Sequence, residues 1–355
     1  MRKKGTKRYL AGLLALATVL PQPIEAQASF TRRPSGCLDD LGHPPADSLV
    51  DQALNLAHSM QYERALSKLK SPLLDSLPLA RYLRGLVLLN REEDWGDTAA
   101  FWKAVDLWSG LWKEAPPSRL DKADPVSDSL GRTENQGELV RALAGLQWAA
   151  AEQFRGHAWK SASLSLKARE KLKPLRDCPE AEAALALFEY YRGSLLSSLP
   201  FISVDPNRSL ARLDSSAALA GRLGPLFRTA WIWMIFDQKQ YDKGLKAIDR
   251  YLTSFPGHRL YRQMEGDFEF HRGQTAKALE VYRGVRDTYA LDTLWRSENR
   301  LPLGYLAACG NLARIHAALG HRDSTHYYLA LWRDPKFEKA QPWLPASLKK
   351  ALKSL

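Results

Sequence analysis

The chain has 355 residues, 45% hydrophobic and 25% charged, a composition that is typical of a folded protein and argues against wholesale disorder. Its formal net charge is +12, from 51 Lys and Arg against 39 Asp and Glu. Beyond the N-terminal residues these charges are scattered, so no basic block indicates nucleic acid as a partner. Three cysteines are too few for a disulfide-stabilised scaffold.

Residues 1–28 predict a secretory signal peptide. Five basic residues precede an apolar stretch at 9–20, and a small-x-small pattern ends at Ala28. This stretch is too short to span a bilayer, and no later one is longer, so we expect no transmembrane segment. Cleavage before Ser29 leaves 46 basic and 38 acidic residues, a net charge of +8. The sequence thus predicts an exported protein, periplasmic or extracellular, with weak attraction to an anionic envelope surface.

The segment 29–47 contains Pro and Gly without helical periodicity, which predicts a loose, irregular lead-in. Apolar residues at helical spacing predict N-terminal helical hairpins over 48–114. An insertion at 90–100 interrupts them and carries three consecutive acidic residues, Glu92 to Asp94. Because a charge run in a loop is normally hydrated, we expect this cluster to be exposed.

Residues 115–137 are polar and rich in Pro, Asp and Ser, which predicts a long loop or hinge. Helical periodicity returns over 138–335 as an array of further hairpins. The last segment, 336–355, predicts a capping helix, because three leucines form one apolar stripe with lysines elsewhere. These are Leu348, Leu352 and Leu355.

One spacing recurs along most of the chain: a small residue, a second small residue twelve positions later, and a large apolar residue four further on. It occurs as Ala53-Ala65-Leu69, Ala150-Ala162-Leu166, Ile232-Gly244-Ile248, Gly266-Ala278-Tyr282 and Ala313-Thr325-Leu329, with one substitution in the third and fifth. Two antiparallel helices cross closely only where both side chains are small. The pattern therefore predicts helical hairpins.

This pattern resembles that of the tetratricopeptide repeat (TPR) family, whose unit is a 34-residue helix–turn–helix. The resemblance covers about 49–333, and the second small positions Ser209, Gly244 and Ala278 lie 35 and 34 residues apart. It implies an all-α fold: a right-handed solenoid of about seven antiparallel hairpins, closed by the capping helix.

The sequence contains no common phosphate-binding or catalytic motif. His316, His321 and His326 recur every five residues, which on a helix separates successive side chains by about 140°, so they do not converge on a metal. We therefore expect no enzyme, no cofactor and no metal.

In such a solenoid the inner face, built from the first helix of each hairpin, is the expected partner site. The repeat frame places nine residues there: Phe154, Thr229, Trp233, Phe236, Gln263, Asp267, Phe270, His271 and Arg314. Aromatic and polar groups together suit a peptide segment. Packing of Trp233 and Phe236 against the neighbouring hairpin is the alternative, because a one-residue frame error turns a helical side chain by about 100°.

The function predicted from sequence is an exported, non-catalytic scaffold that binds a protein or peptide partner in the cell envelope. The alternative is a carbohydrate-active enzyme built as an α/α toroid, which needs a pair of inward carboxylates. Cys309, inside an apolar helix, is expected to be buried. Cys37 and Cys178 occupy positions compatible with a bridge, but their spacing does not decide it.

Overall fold

A computed structural model describes residues 36–41, 44–96, 98–114, 128–196, 205–291, 303–335, 337–338, 344 and 346–355. The predicted signal peptide lies outside these ranges. Within them the regular structure is helical and no strand is present, which confirms the all-α prediction.

Sixteen α-helices lie in the described ranges. The first eight are α1 Pro44–His58, α2 Tyr62–Leu69, α3 Pro72–Asp75, α4 Pro78–Trp95, α5 Thr98–Lys113, α6 Asp128–Phe154, α7 Ala158–Leu172 and α8 Pro179–Leu196. The others are α9 Pro206–Leu219, α10 Gly224–Asp237, α11 Tyr241–Ser254, α12 Arg259–His271, α13 Thr275–Leu291, α14 Leu303–Ala318, α15 Arg322–Trp332 and α16 Ala346–Lys353. Short 3₁₀ turns lie at Lys173–Leu175 and Gly221–Leu223.

The described residues form two compact units. The first contains the chain up to Leu89 and from Phe101 to Trp233, and the second contains Asn90–Ala100 and the chain from Met234 onward. In the first, the pairs α1–α2, α6–α7 and α8–α9 pack as neighbours along the chain. In the second, α12–α13 and α14–α15 do so, and α16 packs against α14. Adjacent helices are thus paired in both units.

Five helix–helix turns have the same backbone conformation. Met60, Gly156, Lys239, Gly273 and Gly320 all have positive φ, between 57° and 87°. In each turn the amide of the following residue donates to the carbonyl five positions earlier, at 2.8–3.1 Å. This is the Schellman arrangement that ends a helix on a left-handed residue. Local hydrogen bonding therefore sets the same register in all five hairpins.

Two small residues of the predicted pattern lie where the neighbouring helix leaves no room for a side chain. A Cβ on Gly244 would lie 2.0 Å from the ring of Phe268, and one on Gly266 would lie 2.8 Å from the ring of Tyr282. Ala278, opposite Gly266 in the pattern, is fully buried. The aromatic rings fill the space that the missing side chains leave open.

In the α6–α7 hairpin the predicted frame is wrong by one residue. In the other four turns the second small position lies five residues after the left-handed residue. In this hairpin the equivalent position is Ser161, which is 5% exposed. Ala162 is exposed, and Leu166 is 51% exposed. The turn at Gly156 determines which side of α7 faces inward. A spacing of twelve residues from Ala150 therefore selects Ala162 instead of Ser161.

Two boundaries also differ from the predictions. α6 begins at Asp128, so the predicted loop 115–137 is helical over its last ten residues, while 115–127 lie outside the described ranges. α1 begins at Pro44, inside the predicted lead-in 29–47. Polar residues such as Asp47 are compatible with a first helical turn, because a carboxylate there interacts favourably with the unpaired backbone amides of the helix N-terminus.

The lead-in is irregular at 36–41 but it is not loose. Leu38 is buried, and Cys37 forms a disulfide with Cys178. The fully buried carboxylate of Glu180 accepts hydrogen bonds from the amides of Cys37 and Leu38, both at 3.1 Å. Burial raises the pKa of Glu180 to about 7, although these hydrogen bonds lower it. The segment is therefore held by covalent and polar contacts to the start of α8.

Three further side-chain environments follow from the fold, and the last two were predicted. Trp108 packs inward at 1% exposure, and its indole donates to the Tyr82 carbonyl at 3.3 Å. Cys309 is buried with a free thiol. In the capping helix Leu348 and Leu352 are buried, whereas Leu355 lies beyond the end of α16 and is 45% exposed.

We expect Gly244→Ala to lower the free energy of unfolding by about 1–3 kcal/mol, because the new methyl group overlaps the ring of Phe268. Urea unfolding measures this. Gly284→Ala on α13 is the matched control: a Cβ there meets no atom within 4 Å, so the helix is expected to gain up to about 1 kcal/mol. Equal stability changes in the two variants would contradict the close crossing.

Candidate functional site

The predicted partner-binding residues lie on four helices. Phe154 ends α6, α10 carries Thr229, Trp233 and Phe236, and α14 carries Arg314. The other four lie on α12: Gln263, Asp267, Phe270 and His271. The structure brings the residues of α12 and α14 together within the second unit, and these form the candidate surface described below.

The centre of this surface is a contact between Phe270 and Arg314. The guanidinium carbon of Arg314 lies 5.1 Å from the centroid of the Phe270 ring, within the range of a cation–π interaction. Arg314 also donates to the side-chain oxygen of Asn311 at 2.8 Å. Both Phe270 and Arg314 remain half-buried. An aromatic face and a cation are thereby held side by side, each with part of its surface open to solvent.

Asp267 supplies the acidic group of the surface. Its carboxylate accepts a hydrogen bond from the Tyr282 hydroxyl at 2.5 Å. Burial raises the pKa of Asp267 to about 6, although this hydrogen bond and the positive charge of Arg314 lower it. The same pairing and burial raise the pKa of Tyr282 well above its usual value. Asp267 is therefore a proton acceptor that titrates slightly below neutral pH.

The repeated turn explains why these residues share one side of their helices. Trp233, Asp267 and Arg314 each lie six positions before the left-handed residue that ends their helix. Phe270 lies three positions before it, about one helical turn further on. On α12 and α14 the turn register therefore agrees with the small-residue pattern used in the prediction.

Phe236 and His271 belong to an aromatic cluster beside the surface. The ring of Phe236 lies 5.0 Å from that of His271, edge to face, and 5.0 Å from that of Phe268. Phe268 is fully buried, Phe236 is half-buried and His271 is exposed. Phe236 therefore packs against the neighbouring hairpin, the alternative considered from sequence, while one edge stays near the exposed imidazole.

The remaining predicted residues have mixed environments. Thr229 is fully buried and its hydroxyl donates to the Pro225 carbonyl at 3.0 Å, so its place on an exposed inner face is corrected. Trp233 is half-buried, and Phe154 is half-buried against Phe101, with ring centroids 5.5 Å apart. Gln263 is half-buried on α12.

The insertion at 90–100 contributes a feature that sequence reasoning assigned wrongly. Asp94 lies on α4 and is 8% exposed, and Glu92 is 4% exposed, so these two acidic residues are not solvated as predicted. The carboxylate of Asp94 pairs with Arg259 at 2.5 Å and accepts a hydrogen bond from the Tyr289 hydroxyl at 2.6 Å. Partners 165 and 195 residues away leave no local signal in the sequence.

This buried network positions the helices of the candidate surface. Arg259 begins α12, and its guanidinium lies 4.3 Å from the centroid of the Tyr289 ring. A Cβ on Gly304, near the start of α14, would lie 1.9 Å from the Tyr289 hydroxyl oxygen and 2.6 Å from the amide nitrogen of Gln263. The absence of a side chain at Gly304 lets α14 approach α12, which places Arg314 over Phe270.

Of the three regularly spaced histidines, His316 and His321 meet, with their Nδ1 atoms 3.2 Å apart. His316 is buried, and burial lowers its pKa, as do nearby Arg283 and His321, whereas His326 is exposed. Among the described residues no group of three His, Cys, Asp or Glu side chains is arranged to hold a metal ion. In the same ranges, no helix combines the length and apolar character that crossing a membrane requires.

In comparisons with protein-family models, curated proteins and solved structures, nothing matches this chain. The function is therefore argued from the surface itself. What α12 and α14 present is an aromatic ring, a cation and a titratable carboxyl group, each partly open to solvent.

Proposed function

We propose that this chain is an exported, non-catalytic scaffold of TPR-like hairpins, stacked as a right-handed solenoid, that binds a protein or peptide partner in the cell envelope. Support for repeated hairpins comes from the five turns that share one backbone conformation. The signal-like sequence at 1–28 supports export. The partner occupies the inner face formed by first helices such as α12 and α14.

The observation that carries this proposal is the contact of Arg314 with Phe270 beside Asp267. Aromatic and Arg side chains are enriched at sites that dominate binding energy, because they bury much area for little lost side-chain freedom. The ring is expected to accept an apolar side chain of a peptide segment. Arg314 and Asp267 would then pair with polar groups of that segment.

The polar groups of this surface favour binding over catalysis. Asp267 is hydrogen-bonded to Tyr282, and Arg314 is held by Asn311 and the ring of Phe270. Neither arrangement pairs a nucleophile with a general base, which covalent catalysis requires. A glycoside hydrolase would need two carboxyl groups across a cleft, and the candidate surface contains one.

We expect Phe270→Ala to weaken partner binding by about 2 kcal/mol, roughly 30-fold in the dissociation constant, because it removes the aromatic anchor. Crosslinking and pull-down from the native envelope identify the partner, and titration of the purified pair measures the change. Tyr327→Ala on α15 is the matched control, since Tyr327 is a 56% exposed aromatic outside the surface.

Circular dichroism must show the same helical signal for both variants before their affinities are compared. Loss of binding in Phe270→Ala alone supports the proposed surface. An unchanged affinity in Phe270→Ala, or an equal loss in Tyr327→Ala, rejects it. If the purified chain turns over a glycan and a single carboxylate substitution abolishes this activity, the scaffold proposal is rejected in favour of the α/α-toroid enzyme.

A further inference from the structure

Helix α7 has an apolar ridge on its outward side, separate from the candidate surface. Its inward side carries Leu164 and Leu172, both buried. On the opposite side Trp159 is 91% exposed and Leu166 is 51% exposed. These two residues are seven positions apart, so they lie within about 20° of one another around the helix and about 10 Å apart along it. Together with exposed Ala162 between them, they form the Trp159 ridge.

A row of lysines runs beside this ridge. Lys160, Lys167 and Lys171 lie about 100° around the helix from Trp159 and Leu166. The first and last lean over tryptophans: the Lys160 nitrogen is 4.9 Å from the centroid of Trp148, and that of Lys171 is 5.6 Å from the centroid of Trp112. Both are also ion-paired, Lys160 with Glu152 at 3.0 Å and Lys171 with Glu138. Each of these glutamates has a second basic partner, Arg155 and Arg141 respectively, so basic groups still outnumber acidic ones on this side.

The charge of α7 is strongly one-sided. Four of its residues are basic and one, Glu170, is acidic. Glu170 is already paired with Arg169 and with Lys173, at 2.9 Å and 2.8 Å. Lys167 is exposed, and no described acidic group forms an ion pair with it. An anionic surface would therefore complement the outward side of this helix.

We propose that the Trp159 ridge and its lysine row dock on an anionic lipid surface. An indole ring is favoured at the level of the lipid headgroups, where its apolar body and its N–H are both accommodated. Leu166 and Ala162 enter the same layer, Lys167 pairs with headgroup charge, and the excess positive charge around it adds to the attraction. This binding goes beyond the proposed function and uses none of the residues on α12 or α14.

Two other kinds of partner fit this ridge less well. Protein interfaces are depleted in lysine, because burying an ammonium group removes its hydration. A row of three lysines therefore disfavours a protein partner. A sugar ring stacked on Trp159 would place its polar edges along the ridge, which continues as alanine and leucine. The apolar continuation and the lysine row favour a lipid surface.

The test is sedimentation of the full chain with vesicles of phosphatidylcholine alone and with vesicles that also contain phosphatidylglycerol. We expect binding to the anionic vesicles only, falling as salt is raised. Trp159→Ala is expected to lower the partition coefficient about tenfold, because the apolar area of the indole stays in water. Lys167→Glu is expected to lower it by at least about fivefold, since one attractive charge is replaced by a repulsive one.

Two matched controls lie on other helices. Leu291→Ala removes an 82% exposed apolar side chain from α13. Lys246→Glu makes the same charge change at an exposed lysine on α11. Both are expected to bind as the unaltered chain does. Weak binding of the unaltered chain to both vesicle types, or equal losses in the controls, overturns the proposal. Retention on an insoluble glycan that Trp159→Ala abolishes, without vesicle binding, also overturns it and assigns the ridge to sugar.

Discussion

Removing the disulfide by the double replacement Cys37→Ser, Cys178→Ser is expected to lower the free energy of unfolding by about 5 kcal/mol. The two cysteines are 141 residues apart in sequence, so the bond closes a long loop and strongly restricts the unfolded chain. It also ties the irregular segment 36–41 to the start of α8. Urea unfolding without reductant, followed by circular dichroism, measures the change.

Reductant provides the control for this result. The unaltered chain in reductant is expected to unfold at the same urea concentration as the double variant, and reductant is expected to leave the variant unchanged. Cys309 is buried with a free thiol in both proteins, so it cancels in the comparison. Equal unfolding midpoints for the oxidised chain and the double variant would show that the bond contributes no stability.

The second large effect concerns the buried pair of Asp94 and Arg259. Asp94→Ala is expected to lower the free energy of unfolding by about 3–5 kcal/mol, because it removes a buried carboxylate that compensates the buried guanidinium of Arg259. The side chains of the pair are only 7% and 8% exposed, so water cannot replace the lost carboxylate. Chemical unfolding of the purified variant provides the measurement.

A second ion pair in the same unit offers a matched comparison. Asp242 pairs with Arg272 at 2.6 Å, but its side chain is 79% exposed. Asp242→Ala is therefore expected to cost only about 0–1 kcal/mol. Replacing both members of the buried pair, as Asp94→Leu with Arg259→Met, is expected to recover much of the loss. Similar losses for Asp94→Ala and Asp242→Ala would contradict the role assigned to burial.

The same network links stability to the candidate surface. Arg259 begins α12, and Tyr289 lies against Gly304 of α14. Loss of the Asp94 carboxylate from this network is therefore expected to disturb the contact of Phe270 with Arg314. Partner binding by Asp94→Ala is thus expected to weaken, although Asp94 lies outside the candidate surface. The effect on binding distinguishes a positioning role from simple support of the core.

Helix positions were predictable where the local pattern and the turn agree. Gly266, Gly273 and Ala278 lie at the close crossing, at the left-handed turn and at the opposite small position. In α7 the pattern suggested Ala162, whereas the turn at Gly156 places Ser161 inward. One residue of error rotated the helix by about 100°, and so Trp159 and Leu166 went unrecognised as an exposed ridge.

The candidate surface was predictable only in part, for the same reason. Asp267, Phe270 and Arg314 occupy repeat positions, so the frame predicts them together, and they lie on α12 and α14. Thr229 occupies a comparable position on α10 but is fully buried, because exposure depends on which helix packs against it. The contact of Arg314 with Phe270 joins residues 44 positions apart, beyond the reach of any local pattern.

By itself the sequence determined the helical class, and it predicted the hairpins and the residues from which the candidate surface is drawn. These follow from side-chain size and periodicity, which act over one or two helical turns. Only the tertiary structure decided that Cys37 meets Cys178, that Asp94 is buried on Arg259, and which side chains of the surface remain exposed. These outcomes depend on contacts between residues far apart in the chain, where burial, not local composition, decides which polar groups are paired.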